Sequence, residues 1–413
     1  MKIVFIIPNM SWLYDYKSQF PLSILYLSTI LKEMGCEVKV FDTNINNIED
    51  IEIADVYGFS VVYNTYQDSV RLCKILKNIH PDAQCIIGGV AVTLDPDNVD
   101  DSFDSIFIGE AEDTIKEYVE DFKNKTIKKS YNQGYESDVN SVFPDRKLVT
   151  NDYIRTSSIF AYGKEYAPGG CSSIIFSRGC PYKCAFCASS KVWNRRVRFR
   201  SVDNIVQEIK YMIDEYGIRQ FRIQDDTFTL DPNYLKDLCI ALEPLNIYYR
   251  CSTRVNHIKE NTIELLYKSG CREIGIGVEV ADDDILKKLN KGITVKDIER
   301  AIYLIRQFPV TLRTFFLVGL PYDSYESYES NIDFLERTNS EFCMPSNFVP
   351  FPGTDMYENM GQYNIKEILP DTCLSVGQHI PLRPNILRYD ITLEEHIDIM
   401  KPFFNYMIKK KFI

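Results

Sequence analysis

Within eight residues, Cys180-Pro181-Tyr182-Lys183-Cys184-Ala185-Phe186-Cys187, the chain places three thiols. A structural zinc site, or a cluster used only for electron transfer, takes four protein ligands; three leave one metal position open for a substrate or cofactor. Thiolate softness suits iron–sulfur clusters and zinc alike, and a fourth ligand such as Cys171 would complete a zinc site. The cysteines at 36, 73, 85, 239, 251, 271, 343 and 373 stand singly, a distribution that points to buried thiols in a reducing cytoplasm rather than a disulfide framework.

Four further segments carry groups of chemical interest. Gln224-Asp225-Asp226-Thr227-Phe228 sets two acids side by side, which can cap a helix at 231–243. Arg254, in Cys251-Ser252-Thr253-Arg254-Val255-Asn256, offers the directed, bidentate contact that a carboxylate accepts. Ile274-Gly275-Ile276-Gly277-Val278-Glu279 ends an apolar run on an acid, and Val318-Gly319-Leu320-Pro321 ends another on a turn. Arg195, Arg196, Arg198 and Arg200 follow the cysteines; in strand spacing the last three share a face, for cofactor or substrate anions or for the chain's own carboxylates.

These residues need a scaffold, and the hydrophobic periodicity predicts one. Residues 1–125 alternate apolar runs at 3–7, 38–41, 56–61, 85–87 and 105–108 with helical patterns at 22–34, 66–79 and 112–122. This is a doubly wound, Rossmann-like α/β domain, whose ligands bind at the carboxyl ends of the strands. Those ends carry Pro8-Asn9, Ser60, Gly88-Gly89 and Gly109-Glu110. Glycines there serve either a close backbone approach to a ligand or tight strand-to-helix turns. Residues 126–170 are polar and read as a linker. From Ser172 the alternation restarts, with strands expected at 173–177, 220–224, 247–251, 273–278, 311–318 and 342–349. Helices are expected at 203–216, 231–243, 260–269, 281–289, 295–307 and 324–337. A tail at 351–413 ends in an amphipathic helix from Thr392, with Ile397, Met400, Phe404 and Ile408 on one face, read as a packed terminal helix in preference to a membrane anchor.

The three-then-two spacing of the cysteines resembles the signature of the radical S-adenosylmethionine (radical SAM) superfamily. The resemblance implies that Cys180, Cys184 and Cys187 bind three irons of a [4Fe-4S] cluster whose fourth iron takes S-adenosylmethionine (SAM), and that one electron then yields a 5'-deoxyadenosyl radical. The later segments resemble that family's motifs in order. They imply that Phe186, Gly319 and Pro321 lie at the adenine and Glu279 at the ribose, with Asp225 and Asp226 at the methionine amino group and Arg254 at its carboxylate. Each has a plainer reading as core, cap or turn. Glu279-Val280-Ala281 and Pro321-Tyr322-Asp323 depart from the common Glu-Ser-Gly and from Gly-Glu after the proline. The six βα units are on this basis expected to form a partial (β/α)6 TIM barrel over 171–350, with chemistry at the strands' carboxyl ends.

Phe20-Pro21-Leu22-Ser23-Ile24-Leu25-Tyr26-Leu27, Gly35, Ile87-Gly88-Gly89 and Gly109-Glu110-Ala111-Glu112 resemble the cobalamin-binding-type domain that precedes many radical SAM domains. Phe143-Pro144-Asp145-Arg146 resembles the connection between the two domains, and Pro350-Phe351-Pro352-Gly353-Thr354 a turn after the sixth strand. Ser60, Gly88, Gly89, Gly109 and Glu110 are then the candidates for cobalamin. The Asp-x-His-x-x-Gly motif that supplies an axial histidine in mutase-type domains is missing, and His80 precedes Pro81-Asp82 in an expected turn.

With Lys+Arg 47 against Asp+Glu 58, a net charge of −11 argues against a nucleic-acid partner, and no apolar segment reaches membrane-spanning length. The expectation is a cytoplasmic radical SAM enzyme that takes electrons from a reductase such as flavodoxin or ferredoxin and, with cobalamin, methylates an unactivated carbon. A non-methylating radical SAM enzyme and a zinc-stabilised binding protein are the alternatives.

Overall fold

The computed structural model describes residues 1–10, 16–18, 20–134, 138–140, 142–154, 159–369 and 382–413; Cys373 lies outside them. Two compact units emerge, and they do not follow chain order. Residues 1–157, 169–174 and 192–218 form the first, and 158–168, 175–191 and 219–413 the second.

The first unit is built on β1 (Lys2–Ile7), β2 (Glu37–Asp42), β3 (Val56–Ser60), β4 (Gln84–Gly88), β5 (Ser105–Gly109) and β6 (Ser130–Gly134). All pairings are parallel, in the order β2-β1-β3-β4-β5-β6. Apolar residues such as Val4, Ile6, Tyr57, Phe59, Cys85 and Ile87 are buried in its core. The strand β6 lies inside the stretch read as linker. Only Tyr131 marks it in an otherwise polar sequence; the ring is buried and stacks on Phe107 at 5.1 Å. Because β1 has β2 on one side and β3 on the other, the winding reverses there and opens a crevice at their carboxyl ends.

Residues 192–218 add the helix Val202–Tyr216, capped by Ser201 at its start and by left-handed Gly217 at its end. Its Glu208 is fully buried between Arg146 at 2.7 Å and Arg200 at 2.6 Å. Arg198 pairs with Glu110. Two of the expected row of arginines therefore meet the protein's own carboxylates.

In the second unit the strands Gln220–Ile223, Tyr248–Thr253, Cys271–Glu279, Thr311–Val318 and Phe342–Asn347 pair in parallel, each with the next in sequence. Helices at Pro232–Leu242, Glu260–Lys268, Asp283–Lys288, Val295–Ile305 and Tyr325–Arg337 connect or follow them. Sequential parallel pairing with helical crossovers is the wall of a partial barrel. The first expected strand is shorter and earlier, at Cys171–Ile174, with Ser177–Arg178 a separate two-residue strand. The terminal helix, Leu393–Lys409, buries His396, Met400, Phe403 and Met407. This seam is rotated from the expected face because Phe403, not Phe404, stacks on Tyr328 at 5.5 Å. Lys410 meets Glu336 at 2.9 Å, so the tail packs on the helix Tyr325–Arg337.

Candidate active site

The cysteine loop is fixed by backbone hydrogen bonds on both sides. Ala185 donates to Leu289 O at 2.9 Å and accepts from Met356 N at 3.1 Å, while Asn290 Nδ2 donates to Lys183 O at 2.8 Å. Met356 follows the turn at Pro350–Thr354, whose Thr354 caps the short helix Asp355–Glu358. The loop thus rests between the helix end at 288–291 and that turn. Cys184 is buried, and Cys180 and Cys187 are partly so. Burial pushes the Cys187 thiol up to about 11, so a metal has to displace a firmly held proton there. No group of three His, Cys, Asp or Glu among the described residues is arranged to hold a single ion. A cluster asks less of the sulfurs, since each binds a different iron.

Four of the expected positions join into one connected group. Arg254, just past the strand Tyr248–Thr253, donates through Nη1 to Cys184 Sγ at 3.1 Å and through Nη2 to Lys291 O. Lys291 Nζ donates to Glu279 Oε1 at 2.5 Å and lies 5.7 Å from the centre of the Phe186 ring. Glu279 sits at a bulge with φ +66°. A buried, non-glycine residue held in the left-handed region is strained by about 1–3 kcal/mol, and such strain concentrates at ligand sites. Gly277 makes room: a Cβ there would stand 2.4 Å from Glu279 Oε1 and 2.7 Å from Lys291 Nζ.

The neighbouring acids hold the loop's surroundings. Asp225, fully buried, accepts from Phe176 N at 2.8 Å and Ser177 Oγ at 2.5 Å, and burial raises its carboxyl to about 6. Asp226 is exposed and accepts from Ser189 Oγ at 2.7 Å. Thr227 Oγ1 lies 3.6 Å from Cys180 Sγ. Gly319 and Pro321 make a separate group: Gly319 N donates to Tyr328 Oη at 3.1 Å, and Pro321 O accepts from Asn364 at 3.3 Å. Tyr328 in turn donates to buried Asp323.

Lys291, Tyr182 and His257 are absent from the sequence-derived set. Tyr182 stands inside the cysteine loop and His257 three residues after Arg254, a spacing that could have flagged both. Lys291 gives no such signal, because only the chain reversal through left-handed Asn290 and Gly292 returns it to the strand end.

In the first unit, Ser60 Oγ lies 2.8 Å from Ser23 Oγ at the carboxyl end of β3. Gly89, at φ +99°, would place a Cβ 2.6 Å from both Val61 N and Val61 O. A Cβ on Gly88 would stand 3.1 Å from Phe107 Cβ, and one on Gly109 2.8 Å from Gly134 O. Glu110 is buried and receives both Nη atoms of Arg198, at 2.6 and 2.7 Å. Between them, the loops after β3 and β4 leave Val62 48% exposed, Tyr63 42% and Val90 39%. His80 belongs to the other edge, before β4 begins, stacked on Tyr57 at 5.8 Å.

The donor sets fit their groups. Three soft sulfurs beside a fixed guanidinium suit an iron–sulfur cluster, and buried Arg254 keeps Nε without an acceptor among the described residues, a donor still available to a ligand. The exposed apolar residues at the carboxyl edge of the first sheet suit a large macrocycle.

Comparison with known proteins agrees with this geometry. The Radical SAM superfamily model matches residues 174–335 and the B12 binding domain model residues 16–119. The chain is 29% identical over 357 residues to an uncharacterized methyltransferase of Pyrococcus horikoshii, covering 82% of this chain and 78% of that protein. To the anaerobic magnesium-protoporphyrin IX monomethyl ester cyclase of Rubrivivax gelatinosus it is 25% identical over 399 residues, covering 87% and 70%. The fold is that of the radical SAM methyltransferase TsrM from Kitasatospora setae, solved with cobalamin and a [4Fe-4S] cluster: TM-score 0.67, 18% identity, 97% of this chain and 85% of that one. The chain carries a B12-binding domain followed by a radical SAM domain, the architecture of an enzyme of the radical SAM superfamily.

Proposed function

We propose that this enzyme is a cobalamin-dependent methyltransferase acting on an unactivated carbon. The observation that carries the reading is the pairing, on one chain, of the three-cysteine loop with a B12-binding sheet whose carboxyl edge is apolar. The match to a methyltransferase over most of both chains supports it. In this reading the cobalamin-binding-type domain, expected at 1–125, extends through β6 at Ser130–Gly134; the rest of 126–170 is the connection, the radical SAM core is built on 171–350, and 351–413 is the carboxy-terminal extension.

When bound, the cluster with S-adenosylmethionine supplies hydrogen-atom abstraction, and cobalamin supplies methyl transfer. The chain's own residues bind and orient. Cys180, Cys184 and Cys187 hold the irons. The Glu279 carboxylate, fixed by Lys291, accepts from ribose hydroxyls, and Phe186 lies beside that pair on the adenine side. Of the two adjacent acids, exposed Asp226 takes the methionine ammonium, while Asp225 anchors the start of the loop. Gly319 and Pro321 offer backbone to the adenine, shaped from behind by Tyr328 and Asp323. The carboxyl edge of the first sheet, from Ser60 and Val62 to Gly88, Gly89, Val90, Gly109 and Glu110, receives the corrin. A low-potential carrier such as flavodoxin or ferredoxin delivers the electron. The buried single thiols are consistent with a reducing cytoplasm, and no helix among the described residues is long and apolar enough to cross a membrane.

Anaerobic reconstitution with iron, sulfide and cobalamin tests this. The expected product holds about four irons and four sulfides per chain and retains a corrinoid. Zinc without iron or sulfide would overturn the reading. The alignment with a cyclase favours one second reading, radical ring closure without methylation. Formation of 5'-deoxyadenosine by protein that retains no corrinoid would support it.

A further inference from the structure

We propose that Arg254 sets the reduction potential of the cluster held by Cys180, Cys184 and Cys187, through its hydrogen bond to the Cys184 sulfur. The inference rests on the cluster assignment above and goes beyond the carboxylate contact that the family resemblance implies for this arginine.

The guanidinium is held on three sides. Nη1 lies 3.1 Å from Cys184 Sγ, Nη2 donates to Lys291 O, and the Tyr182 ring centre is 3.8 Å from Cζ. Tyr182 is itself fixed, since its hydroxyl lies 2.5 Å from His257 Nε2 and accepts from Asn256 Nδ2 at 3.1 Å. Arg254 is 7% exposed, so water and salt screen its charge little. Each terminal nitrogen already has an acceptor, one of them the sulfur of a cluster ligand.

A fixed cation donating to a ligand sulfur favours the more negative oxidation state. The reaction is [4Fe-4S]2+ plus one electron, from a flavodoxin- or ferredoxin-like carrier, giving [4Fe-4S]+. Hydrogen bonds to the sulfurs and local charge set the potential of that couple. Arg254 therefore raises the midpoint and makes the cluster easier to reduce. Tyr182, His257 and Asn256 act through it as positioning residues.

The test is a redox titration of reconstituted full-length protein followed by electron paramagnetic resonance, without S-adenosylmethionine. Equilibrium dialysis of S-adenosylmethionine is run on the same samples. Arg254→Gln is expected to move the midpoint to a more negative value at full cluster content, with Arg254→Lys, which keeps the charge, in between. Affinity for S-adenosylmethionine, read on the same samples, separates a contact to the ligand through the free Nε from the effect on the cluster. Wild-type midpoints in both variants would overturn the proposal; joined to an affinity loss of about tenfold, they would assign Arg254 to the methionine carboxylate instead. Should Arg254→Gln fail to take up a cluster, Arg254→Lys against wild type decides alone, a shift supporting the proposal and an unmoved midpoint overturning it. A wild-type protein that assembles no cluster would overturn the functional reading itself.

Discussion

Glycines mark both ligand edges of this protein, but they are needed for different reasons. In the first unit, Gly89 and Gly109 are required by the chain itself: a Cβ would strike the Val61 backbone or Gly134 O. In the second, Gly277 is required by side chains, because a Cβ would displace the Glu279–Lys291 pair. Substitution of Gly89 should therefore lower stability without touching S-adenosylmethionine binding, whereas substitutions around Glu279 should weaken that binding.

The comparison can be broken most severely at the loop itself. Cys184→Ser removes one of three sulfurs and should abolish cluster assembly, read as loss of iron and acid-labile sulfide, with 5'-deoxyadenosine formation falling by at least about 100-fold. Next in size, Lys291→Met leaves Glu279 buried and unpaired. It should cost about 3 kcal/mol of stability by denaturant unfolding and weaken S-adenosylmethionine binding as well. Gly277→Ala should reduce that affinity about tenfold or more by misplacing the pair, while iron content stays at the wild-type level. Gly89→Ala should instead lower the thermal midpoint of the protein, at about 1–3 kcal/mol, with iron content and S-adenosylmethionine affinity unchanged. If Gly89→Ala impaired S-adenosylmethionine binding while leaving stability intact, the distinction between the two edges would fail.

A further prediction concerns pH. Burial raises the Asp323 carboxyl to about 7 from 3.8, against the opposing hydrogen bonds from Tyr328 and Leu320. The folded state then holds a proton that the unfolded state has released, so stability falls as pH rises from about 4 to about 7. Asp323→Asn should flatten that slope. Thermal midpoints at about pH 5 and about pH 8 check it, and an unchanged slope would show that another group carries the dependence.

The scaffold was largely readable because burial writes itself into periodicity. Continuous apolar runs marked β1 to β5, Asp231-Pro232 marked a helix start and Gly217 a helix end. β6 escaped because an edge strand with one buried residue, Tyr131, carries almost no pattern. The terminal helix was found, but its seam was misplaced by about one position. Several of its neighbouring side chains are half-buried, and composition alone does not rank them. At the site, residues fixed by ligand chemistry stood out in sequence, as the cysteines did. Those fixed only by tertiary return did not: Lys291 is one lysine among many until the turn at Asn290 brings it onto Glu279. The arginines at 198 and 200 show the converse, a cluster conspicuous in sequence that pairs with Glu110 and Glu208.

The central claim, methyl transfer through cobalamin, is tested most directly by incubating the anaerobically reconstituted enzyme with methyl-labelled S-adenosylmethionine and a low-potential reductant, then isolating the corrinoid. The account predicts label in the bound corrinoid, with 5'-deoxyadenosine formed in the same reaction. Formation of 5'-deoxyadenosine with an unlabelled corrinoid would contradict it.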